Sequence, residues 1–124
     1  MNVVDSSAWL EYFADGPNAD HFAPPIEDFK SLIVPTISLY EVFKKVLAER
    51  DEAEAFKAIA QMKQGRVVDL DEDIALSAAR LSIACKMPMA DSVILATAQA
   101  YKAKLWTQDE HFKGLAGVAY REKK

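Results

Sequence analysis

"SLIVPTISLYEVFKKVLAER", residues 31–50, carries the pattern that decides the fold. "SLIVP" (31–35) is an unbroken apolar run closed by proline, which reads as a short strand buried on both faces. "TISLYEVFKKVLAER" (36–50) follows at once with apolar residues at three-and-four spacing, the mark of an amphipathic helix. The rest of the chain repeats this strand-then-helix pattern. "NVVD" (2–5) is a β-branched run before helical "SSAWLEYFAD" (6–15), where Trp9, Leu10 and Phe13 share a face and Gly16-Pro17 ends the helix. "DEAEAFKAIAQMKQ" (51–64) reads as a further amphipathic helix ended by Gly65, and "RVVDL" (66–70) as a third strand. "DEDIALSAARLSIACK" (71–86) opens with three acids, which suit a helix N-terminus. A helix starting at Pro88 in "MPMADSVILATAQA" (87–100), strand "KLWT" (104–107), a short helical piece "DEHFKGL" (109–115) and strand "GVAY" (117–120) complete the pass. Residues 18–31 are the least regular, and Pro24-Pro25 is expected to break the short helix before them.

Strands alternating with helices, with almost no hairpin signals, imply a parallel β-sheet flanked by helices in a three-layer α/β/α sandwich. The chain has 124 residues, enough for one domain (1–124) with a proper core. Hydrophobic residues make up 51% and charged residues 27%, an ordinary globular balance. No stretch approaches the roughly 18 apolar residues of a membrane span. "MNVVDSSAWL" has no basic leader and Asp5 interrupts its apolar run, so a secretory signal is not expected and a cytoplasmic setting is. The single cysteine, Cys85, excludes an internal disulfide and a multi-cysteine metal site; Ile83 and Ala84 beside it favour a buried, inert thiol. The net charge of −4 does not suit a protein that holds nucleic acid by charge alone, unless metal ions neutralise its acids locally.

In a parallel sheet the strand C-termini and helix N-termini share one edge, where open α/β sheets bind ligands. Asp5 ends the first strand, Glu41 lies near the start of the helix after the second, Asp91 lies in the first turn of the apolar helix, and Asp109 follows the fourth strand. Four carboxylates brought together repel one another unless a cation intervenes. Mg²⁺ or Mn²⁺, which prefer oxygen ligands, answer that need. Each acid also has a structural reading. Asp5 suits an N-cap, Ser38 with Glu41 and Thr107 with Glu110 fit capping boxes, and Asp91 suits a helix dipole. "SVILATAQA" offers Asp91 almost no polar face and no lysine or arginine within a turn, so metal is its simpler partner.

The stretches "VVDSSAWLEYF", "PTISLYEVFKKV" and "MPMADSVILATAQAYKAKLWTQDEHF" resemble the PIN-domain nucleases, and more closely the small VapC-type toxins of bacterial and archaeal toxin–antitoxin pairs. The likeness covers nearly the whole chain in order and spacing. It implies that Asp5, Glu41, Asp91 and Asp109 are the catalytic and metal-binding acids, with Ser6 beside the first of them and Thr107 in a T-x-D element. It further implies Mg²⁺- or Mn²⁺-dependent cleavage of RNA, a homodimer, and a cognate VapB-type antitoxin lying over the active-site groove. One departure stands out: "YKAKLW" lacks the glycine that many relatives carry before the fourth strand, whereas Lys45 fits a position that is often small or basic.

The reaction so implied is hydrolysis of an RNA phosphodiester by metal-activated water, with Asp5 and Asp91 as direct ligands, Glu41 and Asp109 completing the set, and Ser6 and Thr107 orienting carboxylates or water. Lys44, Lys45 and Arg50 either contact phosphates or form a solvated helix face. No P-loop, G-x-S-x-G elbow or G-x-G-x-x-G fingerprint is present. "DSSAW" lacks the second acid that an aspartyl-nucleophile phosphatase uses as proton donor. His21 and His111 read as surface polar residues. The alternative from another class is a non-catalytic PIN-fold binding module acting through a partner. The aromatic set Trp9, Tyr12, Phe13, Tyr40 and Phe43 is expected to be mostly core, with part of it facing a dimer or antitoxin partner.

Overall fold

Five short strands, all parallel, form a single sheet in the order β3-β2-β1-β4-β5. They are β1 (Asn2–Val4), β2 (Leu32–Pro35), β3 (Arg66–Val68), β4 (Lys104–Thr107) and β5 (Val118–Tyr120). The helices are α1 (Ser6–Phe13), α2 (Ala19–Glu27), α3 (Thr36–Glu49), α4 (Glu52–Met62), α5 (Glu72–Cys85) and α6 (Met89–Ala100). Single 3₁₀ turns span Phe29–Ser31 and Glu110–Phe112. The coordinates are a computed structural model that describes residues 1–124.

Alternation along the strands builds two cores. Val4, Leu32 and Val34 point to one face, where Ala8 and Trp9 of α1, Phe22 and Ile26 of α2, Val42 of α3 and Met62 of α4 cover them. Val3, Ile33 and Leu105 point to the other, against Ile94, Leu95 and Ala98 of α6. The result is the three-layer α/β/α sandwich that the strand pattern implied. The chain winds outward from β1 through β2 to β3, then returns to β4 on the other side of β1. Winding reverses between β1 and β4, so a crevice opens beyond their C-terminal ends.

Helix α6 is buried at every residue from Asp91 to Ala98, as its lack of a polar face required. No single helix is long and apolar enough to cross a membrane. The prolines at 24 and 25 do not break α2; both lie inside it. Two N–H donors are lost there, but buried Phe22, Pro25 and Ile26 press the turns against the sheet, and packing overrides the local preference. Cys85 ends α5 and is only half-buried, because the chain turns away at Lys86 in a left-handed conformation. Where the resemblance implied a glycine ahead of β4, Lys102 takes φ 52°. A side chain in that region costs about 1–2 kcal/mol, which glycine avoids.

Candidate metal centre

Asp5 leaves β1 at the crevice and caps α1. Its Oδ1 accepts the Ala8 N–H at 3.1 Å and the Ser7 hydroxyl at 2.8 Å. The capping role and a site role are therefore compatible in one side chain. Only 2% of Asp5 is exposed, and burial pushes its carboxyl up to about 7 from 3.8, with the charge of Asp109 adding to the rise. The Ser7, Ala8 and Thr107 hydrogen bonds oppose that rise without cancelling it.

Glu41 sits in the second turn of α3, half-buried, and its Oε1 accepts the Ser6 hydroxyl at 2.7 Å. The contact ties the N-terminus of α1 to α3. A Ser38–Glu41 capping box does not form, because α3 starts at Thr36 with Pro35 before it. Ser38 is consequently inside the first turn, fully buried, with its hydroxyl unpaired.

Asp91 is the third residue of α6 and 9% exposed. Its carboxyl is raised, first by burial and further by the charges of Asp109 and Glu41, while His111 acts the other way. Asp109 follows β4 and caps the short 3₁₀ turn, its Oδ1 accepting the His111 N–H at 2.9 Å. The anticipated Thr107–Glu110 box is replaced by a tighter arrangement in which the Thr107 hydroxyl accepts the Asp109 N–H at 2.9 Å.

His111 corrects the sequence reading. Rather than standing alone, it places Nδ1 2.7 Å from Asp91 Oδ2 and 3.3 Å from Asp109 Oδ1. One ligand atom from each of Asp91, Asp109 and His111 lies within 4.8 Å of the others, a spacing that suits a shared cation. The pairing with Asp91 raises the His111 ring above its ordinary 6.5. Nothing in "DEH" announced the contact in sequence; it follows from the single 3₁₀ turn that Asp109 caps. His21 lies elsewhere, against Trp106 and with Nδ1 3.2 Å from an Arg121 nitrogen.

His111 is the one basic side chain beside the crowded carboxylates, and no lysine or arginine joins it. Lysine ion pairs occur at Lys45–Glu49 and Lys57–Glu54, and none reaches Asp5, Glu41, Asp91 or Asp109. In Glu41, Asp91 and Asp109, the hydrogen bonds described engage one carboxylate oxygen and leave the other open. An oxygen-rich, unbalanced anionic rim of this kind fits a hard divalent cation. A groove of about 550 Å³ runs beside the rim, lined by Ser7, Leu10, Phe13, Lys45, Arg50 and Gln108 among others.

Thr107 is fully buried, so its hydroxyl is the sole means by which β4 satisfies the Asp109 N–H from within. Thr107→Val, which keeps the shape and deletes that oxygen, is expected to destabilise the protein by about 1–3 kcal/mol. Chemical denaturation measures the loss, and Thr107→Ser should recover most of it.

The site places the chain in a class: an α/β protein with an acid cluster at the switch point of a parallel sheet. Residues 3–118 match the PIN domain profile, and the chain belongs to the PIN domain family. Among solved structures it is similar to a toxin–antitoxin complex from Klebsiella pneumoniae, at 22% identity over 96% of both chains and TM-score 0.80. It is also similar to a sarcin-ricin-loop-cleaving VapC toxin from Mycobacterium tuberculosis, at 14% identity over 94% of this chain and 95% of that one, with TM-score 0.77. FitAcB from Neisseria gonorrhoeae gives 20% identity, coverage of 97% and 96%, and TM-score 0.74. A search of curated proteins gives no match.

Proposed function

We propose that residues 1–124 form one functional unit, a divalent-cation-dependent endoribonuclease and the toxin half of a type II toxin–antitoxin pair. The observation that carries this reading is the meeting of Asp91, Asp109 and His111 within 4.8 Å, with Asp5 and Glu41 close enough to act on them electrostatically. Asp5, Glu41, Asp91 and Asp109 hold Mg²⁺ or Mn²⁺. Ser6 fixes one oxygen of Glu41, and Thr107 fixes the Asp109 backbone and bonds Asp5. When bound, a divalent ion lowers the pKa of water at the site and offsets phosphate charge. The protein's own part is to keep four acids preorganised in a rim that is mostly shielded from bulk solvent. That arrangement lets an acidic protein approach a polyanion, because the cation reverses the local charge.

The structural relatives whose names describe VapBC or toxin–antitoxin complexes support a VapB-type antitoxin as partner. Tyr40 and Phe56 are 59% and 55% exposed, and Phe56 stacks edge-on against Phe43, which leaves an aromatic surface for a second copy or for the antitoxin. Trp9 is core, and Tyr12 and Phe13 pack against it. Lys45 pairs with Glu49 and Lys44 lies over Tyr40, which favours the solvated-face reading of these cations.

The test is cleavage of structured RNA by the purified chain with Mg²⁺ or Mn²⁺. Activity should vanish on chelation with EDTA and fall at least about 100-fold in Asp91→Asn. Cleavage that survives both changes would exclude this site, and no cleavage with either ion would favour the binding-module alternative.

A further inference from the structure

We propose that His111 supplies a nitrogen donor to the divalent-cation site and thereby makes the site select first-row transition ions over Mg²⁺. The inference rests on the metal-dependent nuclease reading for the location of the site, and it goes further by assigning a residue outside the four acids. Two observations carry it. The first is position: Nδ1 lies 2.7 Å from Asp91 and 3.3 Å from Asp109, within reach of an ion held by both carboxylates.

The second is how the ring is held. Its backbone is fixed on both sides. Asp109 caps the turn through the His111 N–H, the Phe112 N–H bonds the Asp109 carbonyl at 3.1 Å, and the Phe112 side chain is fully buried in the core. The imidazole itself is 55% exposed, so it can turn its nitrogen from Asp91 onto an ion without disturbing the fold.

The chemistry then follows from donor type. Mg²⁺ strongly prefers oxygen ligands in octahedral geometry and gains little from imidazole. Transition ions accept imidazole readily, and for a given mixed site the affinity rises from Mn²⁺ to Co²⁺. Two carboxylates and one imidazole therefore bias the site away from Mg²⁺ in a graded way.

The experiment uses the full chain at pH 8 with Mg²⁺, Mn²⁺ or Co²⁺ alone and no RNA. Calorimetric titration of His111→Gln, which offers an amide oxygen in place of nitrogen, should show the greatest weakening for Co²⁺, about tenfold or more. A smaller loss is expected for Mn²⁺ and under about twofold for Mg²⁺. Pulsed electron paramagnetic resonance of the Mn²⁺-loaded natural sequence should show coupling to an imidazole nitrogen. That readout does not depend on how well the variant folds. Equal losses for all three ions, or no nitrogen coupling, overturns the assignment. RNA cleavage that remains sensitive to Asp91→Asn in that case leaves the nuclease reading standing, so the two failures are distinguishable.

Discussion

Asp5→Asn is expected to abolish divalent-dependent RNA cleavage while raising the thermal midpoint of the metal-free protein at pH 7.5. The two effects have one origin. Asp5 is 2% exposed, and its carboxyl is pushed up to about 7 from 3.8, chiefly by desolvation. At about 1.36 kcal/mol per pKa unit, holding that group ionised costs on the order of 4 kcal/mol as an upper limit. Asparagine removes the charge and keeps an oxygen for the Ala8 N–H, and it caps helices as well as aspartate does. Burying the amide takes back part of the gain, leaving about 1–2 kcal/mol, or several degrees in midpoint. Cleavage should fall by at least about 100-fold, because a neutral amide is a poor ligand for a hard cation. Adding Mn²⁺ should raise the midpoint of the natural sequence and leave the variant unmoved. A metal-free Asp5→Asn protein that melts lower than the natural one would show that Asp5 serves the fold rather than the ion. Asp5→Ala separates the contributions further, since it also loses the cap, worth about 1 kcal/mol.

The centre of the sheet was legible in sequence because β1 and β2 are buried on both faces, so "NVV" and "LIV" are apolar runs with no competing pattern. The same burial made Asp91 visible, as an acid on a helix that had no polar face to give it. α2 was misread for the converse reason. Local rules treat Pro24-Pro25 as a stop, whereas Phe22 and Ile26 anchor those turns in a core that only the folded chain creates. The edge position of the acids could be inferred from the common direction of the strands, but their mutual contacts could not. Whether Ser6 meets Glu41, 35 residues away, depends on how α1 packs on α3. His111 was hidden because one 3₁₀ turn of three residues has no periodicity to detect, and its geometry alone brings the ring back to Asp91. Ser38 shows the limit of motif matching: the S-x-x-E spacing was present, but the helix began two residues earlier.

The stability of the metal-free protein is expected to fall as pH rises from 5 to 8, the opposite of what buried, salt-bridged carboxylates give. Asp5 binds a proton in the folded state up to about pH 7, whereas in the unfolded chain it loses that proton near 3.8. Between those values the native state holds more protons, so its advantage is complete below about 3.8 and disappears as pH climbs through 7. Asp91 is raised as well and contributes with the same sign. His111, raised by Asp91, adds a stabilisation that is full below its ordinary 6.5 and is lost above its folded pKa. The three contributions therefore reinforce one another. Urea denaturation at fixed ionic strength should show a loss of roughly 2–4 kcal/mol across this range. Divalent ions compete with those same protons and bind the ionised rim best at higher pH. At a Mn²⁺ concentration about 100 times the dissociation constant they should return about 2.7 kcal/mol at pH 8 and much less at pH 5. The slope should then flatten, and Asp5→Asn should flatten it without any metal. A metal-free profile that is level or rising from pH 5 to 8 would mean that the acids are already neutralised by groups within the protein, and the case for a cation at this rim would fail with it.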